Sequence, residues 1–311
     1  MAKLKALMLA GGALIALCHA AVAADLLPPA PALEPLPSPA AEFSGWYLRG
    51  DVGIGANASS PNLKQSPDLV TDELGTDFDA AGTNKFYNSK VSDFGIFDIG
   101  LGYQFNNWFR ADVTEEYRGG APFQALEVIN EPNAVGSHVG PQQYDDSYRA
   151  NLWSAITMFN GYVDMGTWWG ITPYVGAGVG FSYNRLSGFS DTSANYPGNT
   201  AGGTGYPGGG YADDHGKWNF AWDLTGGLSF NVTPNLKLDL SYRYLDYGKF
   251  STGTLHCLAV GATTGFDIAN CGGGYAISSK NDLASNDFRI GLRWMIGEEP
   301  SYAPAPLVRK Y

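Results

Sequence analysis

The stretch Leu236-Lys237-Leu238-Asp239-Leu240-Ser241-Tyr242-Arg243-Tyr244, LKLDLSYRY, alternates apolar and polar side chains without a slip. In a strand, successive side chains point to opposite faces, so this segment carries one oily face and one charged face. It must touch two environments at once. Which environment lies on which side decides the fold.

The same period of two recurs along the chain. GWYLRGDVGIG (45–55) sets Trp46, Leu48, Val52 and Ile54 against Tyr47, Arg49 and Asp51. FGIFDIGLGYQF (94–105) and WFRADVTEEYR (108–118) repeat the pattern, with only Asn106-Asn107 between them, which is hairpin spacing. WWGITPYVGAGVGFSYNR (168–185), WNFAWDLTGGLSFNV (218–232) and FRIGLRWMI (288–296) are further strands. Residues 148–164 are apolar on both sides, which supports a strand without fixing its facing. Glu115 interrupts the greasy face of the third strand. Eight strands, three short turns on one side and four long connections on the other describe an up-and-down meander able to close into a barrel.

Closure leaves two options. A soluble barrel turns its greasy face inward, whereas a membrane-spanning one turns it outward. The interior of an eight-stranded barrel is just wide enough for side chains to fill it. The greasy set is bulky and the opposite set is rich in Gly, Ser and Thr, so the bulky set belongs outside. Depth along the strands agrees, because bilayer-facing barrels carry aromatic girdles at both interfaces. Trp46, Tyr103, Phe105, Trp108, Trp168, Trp169, Phe230 and Trp294 fall on the short-turn side. Tyr117, Tyr183, Trp218, Tyr242 and Tyr244 fall on the long-connection side. The polar face carries Arg49, Arg110, Lys237, Arg243, Arg289 and Arg293 with Asp51, Asp98, Asp112, Glu116, Asp223 and Asp239. Six cations against six anions is what a closed, low-dielectric lumen requires. The expected architecture is all-β: a transmembrane eight-stranded antiparallel up-and-down barrel over 44–296.

The chain ends read differently. Lys3 and Lys5, an apolar run from Ala6 to Leu17 and small residues to Ala24 read as a cleaved signal peptide over 1–24, with an uncleaved anchor as the alternative. Residues 25–43 are a proline-rich spacer and 297–311 a short tail, both expected on the periplasmic side. Of the three cysteines in the 311 residues, the signal removes Cys18 and leaves Cys257 and Cys271. In an exported chain such a pair reads as a disulfide, with two free thiols as the alternative. The formal net charge of −11 argues against a nucleic-acid partner.

At GWYLRGDVGIG, TPYVGAGVG, LKLDLSYRYLDYG and FRIGLRW the chain resembles the small outer-membrane β-barrels of alphaproteobacteria, with the OmpA-like and opacity-type porin families. The resemblance implies a protein of the bacterial outer membrane, with surface loops and insertion by the barrel-assembly machinery. Family barrels end on a strand-terminal aromatic; here Tyr311 is terminal but lies past the last strand. Partners implied are outer-membrane lipids, lipopolysaccharide, peptidoglycan near the proline-rich ends, and host or cell-surface ligands at the loops. No OmpA-like peptidoglycan-binding domain is expected.

Three function classes follow: a structural and surface-interaction barrel, a channel for small solutes, and an envelope protease or lipid hydrolase. The first is favoured. Asp213-Asp214-His215 with Asp145-Asp146 would be the protease candidates, but they fall in polar loops, as do His138 and His256. Gly176-Ala177-Gly178-Val179-Gly180 lacks the last glycine of a dinucleotide fingerprint and has no helix after it. No catalytic residue, metal site or cofactor is expected.

Overall fold

The computed structural model describes residues 44–66, 69–71, 77–79, 84–131, 142–196, 207–261, 265–270 and 276–296. The signal, spacer and tail expectations lie outside these residues, as do His138, Cys271 and hence the proposed cysteine pairing. Everything described belongs to one of the chain's two compact units, residues 42–311.

Eight long strands form the wall: β1 (Gly45–Asn57), β2 (Phe94–Gln104), β3 (Phe109–Glu131), β4 (Gln142–Asp164), β5 (Ile171–Tyr196), β6 (His215–Asn231), β7 (Leu236–Gly248) and β8 (Leu283–Ile296). Each pairs antiparallel with its sequence neighbours, β5 meeting β6 from Ile171↔Phe230 to Leu186↔His215. β8 returns to β1, with Trp46↔Ile296 at one end and Asn57↔Ser285 at the other. The ring is closed, so these strands leave no edge between them.

Facing follows the period of two. Leu48, Val52, Ile54, Phe97, Ile99, Leu101, Val175, Val179, Leu224, Ile290 and Leu292 are exposed on the outside. A wall with so much apolar surface is stable only against hydrocarbon. Glycines on the inside make room for large neighbours: a Cβ on Gly102 would lie 2.2 Å from the Tyr47 ring, and one on Gly291 would lie 1.7 Å from the Asp51 carboxylate.

The strands run further than the sequence reading placed them. β3, β4 and β5 have 23, 23 and 26 residues, where a membrane crossing takes about 9–11. The expected long connections are therefore partly a tall wall on the long-connection side. Asn84–Val91 pairs with the upper part of β3, and Pro207–Ala212 bridges β5 to Leu255–Gly261. Bulges mark the departure, at Arg118/Ala121 in β3 and Arg149/Asn151 between β4 and β5, where the ladder shifts and the strands re-aim.

Inside this upper wall sits an apolar core absent from the sequence reading. Phe94, Ile96, Phe123, Leu152, Ile156, Met158, Leu186 and Leu245 face inward and are buried. Leu63, Phe250 and Ile277 from the connections fill the centre, with the Phe123 and Phe250 rings 5.2 Å apart. Leu63–Ser66 pairs with Ala276–Ser279, and Phe250 N–H donates to Ser279 Oγ at 3.2 Å, so the connections are sewn to one another over the mouth. This resolves the facing of β4: it is apolar on both sides because its inner residues face this core.

Candidate functional site

Below the apolar core the lumen is filled by ion pairs in three tiers. The uppermost joins Arg118 and Arg243 to Glu116 and Asp287. Arg118 Nε donates to Glu116 Oε1 at 2.5 Å and Nη2 to Asp287 Oδ2 at 2.7 Å. Arg243 Nη2 donates to Glu116 Oε2 at 2.5 Å and to Asp287 Oδ2 at 2.7 Å, with Asp223 3.8 Å away. Two planar guanidinium forks thus share the same two carboxylates, a geometry a lysine could not reproduce.

The middle tier centres on Arg49. Its Nη1 donates to Asp112 Oδ2 at 2.9 Å and to Tyr162 Oη at 2.8 Å, while Nη2 lies 2.7 Å from Asp51 Oδ2. Tyr47 Oη donates to Asp112 Oδ2 at 3.0 Å and Asn160 Nδ2 to Asp112 Oδ1 at 2.9 Å. Arg289 Nη2 bridges Asp51, at 2.8 Å, and Asp98. At the short-turn end, Arg293 grips Asp239 and donates to Ser229 Oγ at 2.9 Å. Arg110 donates to Asp164 at 3.1 Å, its guanidinium 4.2 Å from the Tyr162 ring centre and 4.5 Å from that of Tyr174. Such stacking between two rings adds cation–π attraction to the ion pair.

The structure brings Arg49, Asp51, Asp98, Arg110, Asp112, Glu116, Asp223, Asp239, Arg243, Arg289 and Arg293 together in this interior, all buried. Lys237 differs: it is half-buried and makes no ion pair among the described residues. The expected six-to-six balance also needs correction. Arg118, Asp164 and Asp287 are buried in the same tiers, giving six arginines and eight acidic side chains there, with Lys237 apart from them. Asp287 stands just outside the strand limits read from sequence, and Arg118 and Asp164 are the last residues of their segments. Tyr47, Tyr162 and Tyr174 complete the network and are signalled only by their position on the inward face.

On the outside the aromatics form two belts. On the short-turn side Trp46 packs edge-on against Tyr103 at 5.3 Å and Tyr103 against Phe105 at 5.0 Å. Trp108, Trp168, Trp169 and Trp294 are exposed alongside them. On the opposite side Tyr117, Trp153, Tyr183 and Trp218 form a continuous row, with centroid separations of 6.3, 5.9 and 5.0 Å. Tyr242 packs on Phe288 and Tyr244 on Trp222. Trp153 joins the belt although its strand had no assigned facing. Glu115 does project outward, and its carboxylate accepts from Thr157 Oγ1 at 2.5 Å across the ladder.

The protease candidates separate. Asp213 lies 3.2 Å from His256, not paired with His215. Asp214 is held by Arg185 at 3.0 Å and by Gly188 N–H. Asp146 stands opposite Glu127 and Ser193 on the inner face of the tall wall. There, burial and the neighbouring Asp145 push its carboxyl up to about 6. Burial, Asp146 and Glu127 push Asp191 up to about 8.

A sequence model of the outer membrane protein beta-barrel domain matches residues 11–295. The chain is 34% identical over 256 residues to an uncharacterized protein of Brucella suis, covering 77% of this chain and 80% of that one. It is 31% identical over 146 residues to outer membrane protein PagN of Salmonella typhimurium, covering 44% and 47%. To a putative adhesin of Rickettsia canadensis it is 26% identical over 212 residues, covering 66% and 73%. With a closed ring of eight strands, a greasy exterior and this match along most of its length, the chain belongs to the outer membrane protein beta-barrel domain family and resides in the bacterial outer membrane.

Proposed function

We propose that the protein is a sealed barrel with a structural and adhesive role, neither a solute channel nor an enzyme. The observation that carries this reading is the filled interior. Three tiers of paired arginines and carboxylates occupy the lumen, and an apolar core built from Leu63, Phe250 and Ile277 closes it above. An aqueous path would have to break buried ion pairs and then wet that core, and each step is costly.

The tall wall of β3, β4 and β5 then serves as the presenting surface, directed away from the cell because outer-membrane barrels keep their short turns periplasmic. The name of the Rickettsia relative is in keeping with a surface contact role. Lipopolysaccharide and outer-membrane lipids would contact the aromatic belts, and the barrel-assembly machinery would insert the chain. The purified protein in planar bilayers should show no stable conductance, and nanosiemens steps would favour the channel reading instead. Lipid A and peptide cleavage assays should be unchanged by Asp213→Asn or His256→Ala, there being no activity to lose.

A further inference from the structure

We propose that a cleft in the first long connection binds an uncharged saccharide. The cleft lies on the long-connection side, between 57–62 and the strand Asn84–Val91 with its continuation to Asp93, and encloses about 550 Å³. That volume suits a small ligand. Its back is braced. Ala58 N–H donates to Ala284 O at 2.8 Å, Lys280 N–H to Asn62 O at 2.6 Å, and Asn62 N–H to Asn281 Oδ1 at 2.6 Å. Asn57 Nδ2 ties the two walls together through Val91 O and Ser92 O, at 3.1 and 2.7 Å.

With the backbone secured from behind, and Asn57 and Ser59 aside, Ser59 Oγ donating to Asp282 O at 3.4 Å, the remaining polar side chains that line the cleft have no partner among the described residues. The side chains of Asn62, Asn88, Ser89, Lys90 and Asp93 make no hydrogen bond or ion pair among the described residues, although all line the cleft. They offer amide, hydroxyl, ammonium and carboxylate groups at close spacing, a mixture of donors and acceptors that matches vicinal hydroxyls. Phe86 lines the same cleft, half-buried and packed against the apolar core, so it presents a fixed ring to a sugar's C–H face.

Charge and backbone narrow the ligand. One lysine against one aspartate gives no net attraction for a polyanion. An added peptide strand is disfavoured because the ladder slips between Tyr87 and Lys90, which breaks the regular edge such a strand would need. Within that bulge Asn88 has φ 49°, a left-handed conformation that side chains seldom adopt outside functional or turn positions.

The inference rests on the long-connection side being the interaction face. The full protein in lipid nanodiscs would be tested by saturation-transfer NMR against glucose, galactose, mannose, N-acetylglucosamine and their β-linked disaccharides at millimolar concentration. Transfer to at least one of these is expected. Asn88→Gly, which suits the left-handed backbone and deletes the side chain with its amide, should weaken it about tenfold, as should Asp93→Asn. Heat-shifted gel migration would show that each variant is folded. No transfer to any sugar, transfer unaffected by both variants, or binding of anionic polysaccharide alone would overturn the proposal. Beads coated with the protein separate the two claims. If they hold cells while no sugar binds, only the cleft is lost; if they hold no cells, the adhesive reading fails.

Discussion

Replacing Arg243 by methionine should destabilise the barrel by about 3 kcal/mol, the lower end of the range for breaking a buried ion pair. The estimate follows from the partners. Arg243 serves Glu116 at 2.5 Å and Asp287 at 2.7 Å, and lies 3.8 Å from Asp223. All three carboxylates are buried. Arg118 still reaches Glu116 and Asp287 in the variant, which keeps the cost from rising further. Asp223 has no other ion pair among the described residues and would be left uncompensated. Removing Asp223 as well, as Arg243→Met/Asp223→Asn, should recover about 1–2 kcal/mol, since matched loss is cheaper than leaving one charge alone. Urea unfolding in phospholipid vesicles, followed by tryptophan fluorescence, reads both values. A loss below about 0.5 kcal/mol for Arg243→Met would refute the reasoning, because that is the behaviour of a solvated ion pair.

Three further outcomes are expected. In the tall wall outside the membrane, Asp146 and Asp191 are raised to about 6 and about 8, above an unfolded value near ~3.9. The folded wall therefore holds these protons more tightly, and their stabilisation is full below the unfolded value and lost as pH rises through about 6 and then about 8. With a discount for partial solvent access this amounts to on the order of 2 kcal/mol, so intrinsic-rate-corrected amide protection in 124–127 and 190–193 should fall between pH ~5 and ~9. Asp191→Asn should flatten the upper part of that fall, and protection that rose with pH would contradict the assignment. Gly291→Ala sets a methyl against the Asp51 carboxylate that pairs with Arg49 and Arg289. It should cost about 1–3 kcal/mol in the same unfolding assay, and a neutral result would mean the lumen has slack there. Phe250→Ala removes the ring that packs on Phe123, at about 3–5 kcal/mol, and should speed proteolysis within 57–93 and 248–283 on intact cells. Unchanged cleavage would show that the apolar core does not hold the connections down.

The fold was legible because period two and a size mismatch between the two faces suffice to close and invert a barrel. LKLDLSYRY states both facts, and Leu238, Leu240, Arg243 and Asp239 sit where that alternation places them. The upper interior was not legible for a definite reason. Its inward residues, such as Ile96, Leu152, Ile156 and Met158, are as apolar as the outward ones, so alternation carries no contrast there. The length of β3 was missed because Gly119-Gly120, where the ladder bulges, reads in sequence as the end of a strand. Phe250 and Ile277 reach the core from connections without any repeat, and only tertiary structure assigns them. Most of the lumen charges were readable as a face, whereas their pairing was not. Arg118 and Asp287 enter the tiers through a contact between β3 and β8, far apart in sequence, and Asp164 through one with Arg110 across the β3–β4 pair. The cleft beside Asn88 had no sequence signature, since Asn and Ser in a connection ordinarily mean only a turn.

The inverted polarity of the wall is tested most directly by spin labels placed singly at residues 288 to 294 of β8 in lipid vesicles, scored for collision with oxygen. High oxygen access at 288, 290, 292 and 294, with low access at 289, 291 and 293, is the predicted pattern. Low access at the first set, or no alternation at all, would contradict the account.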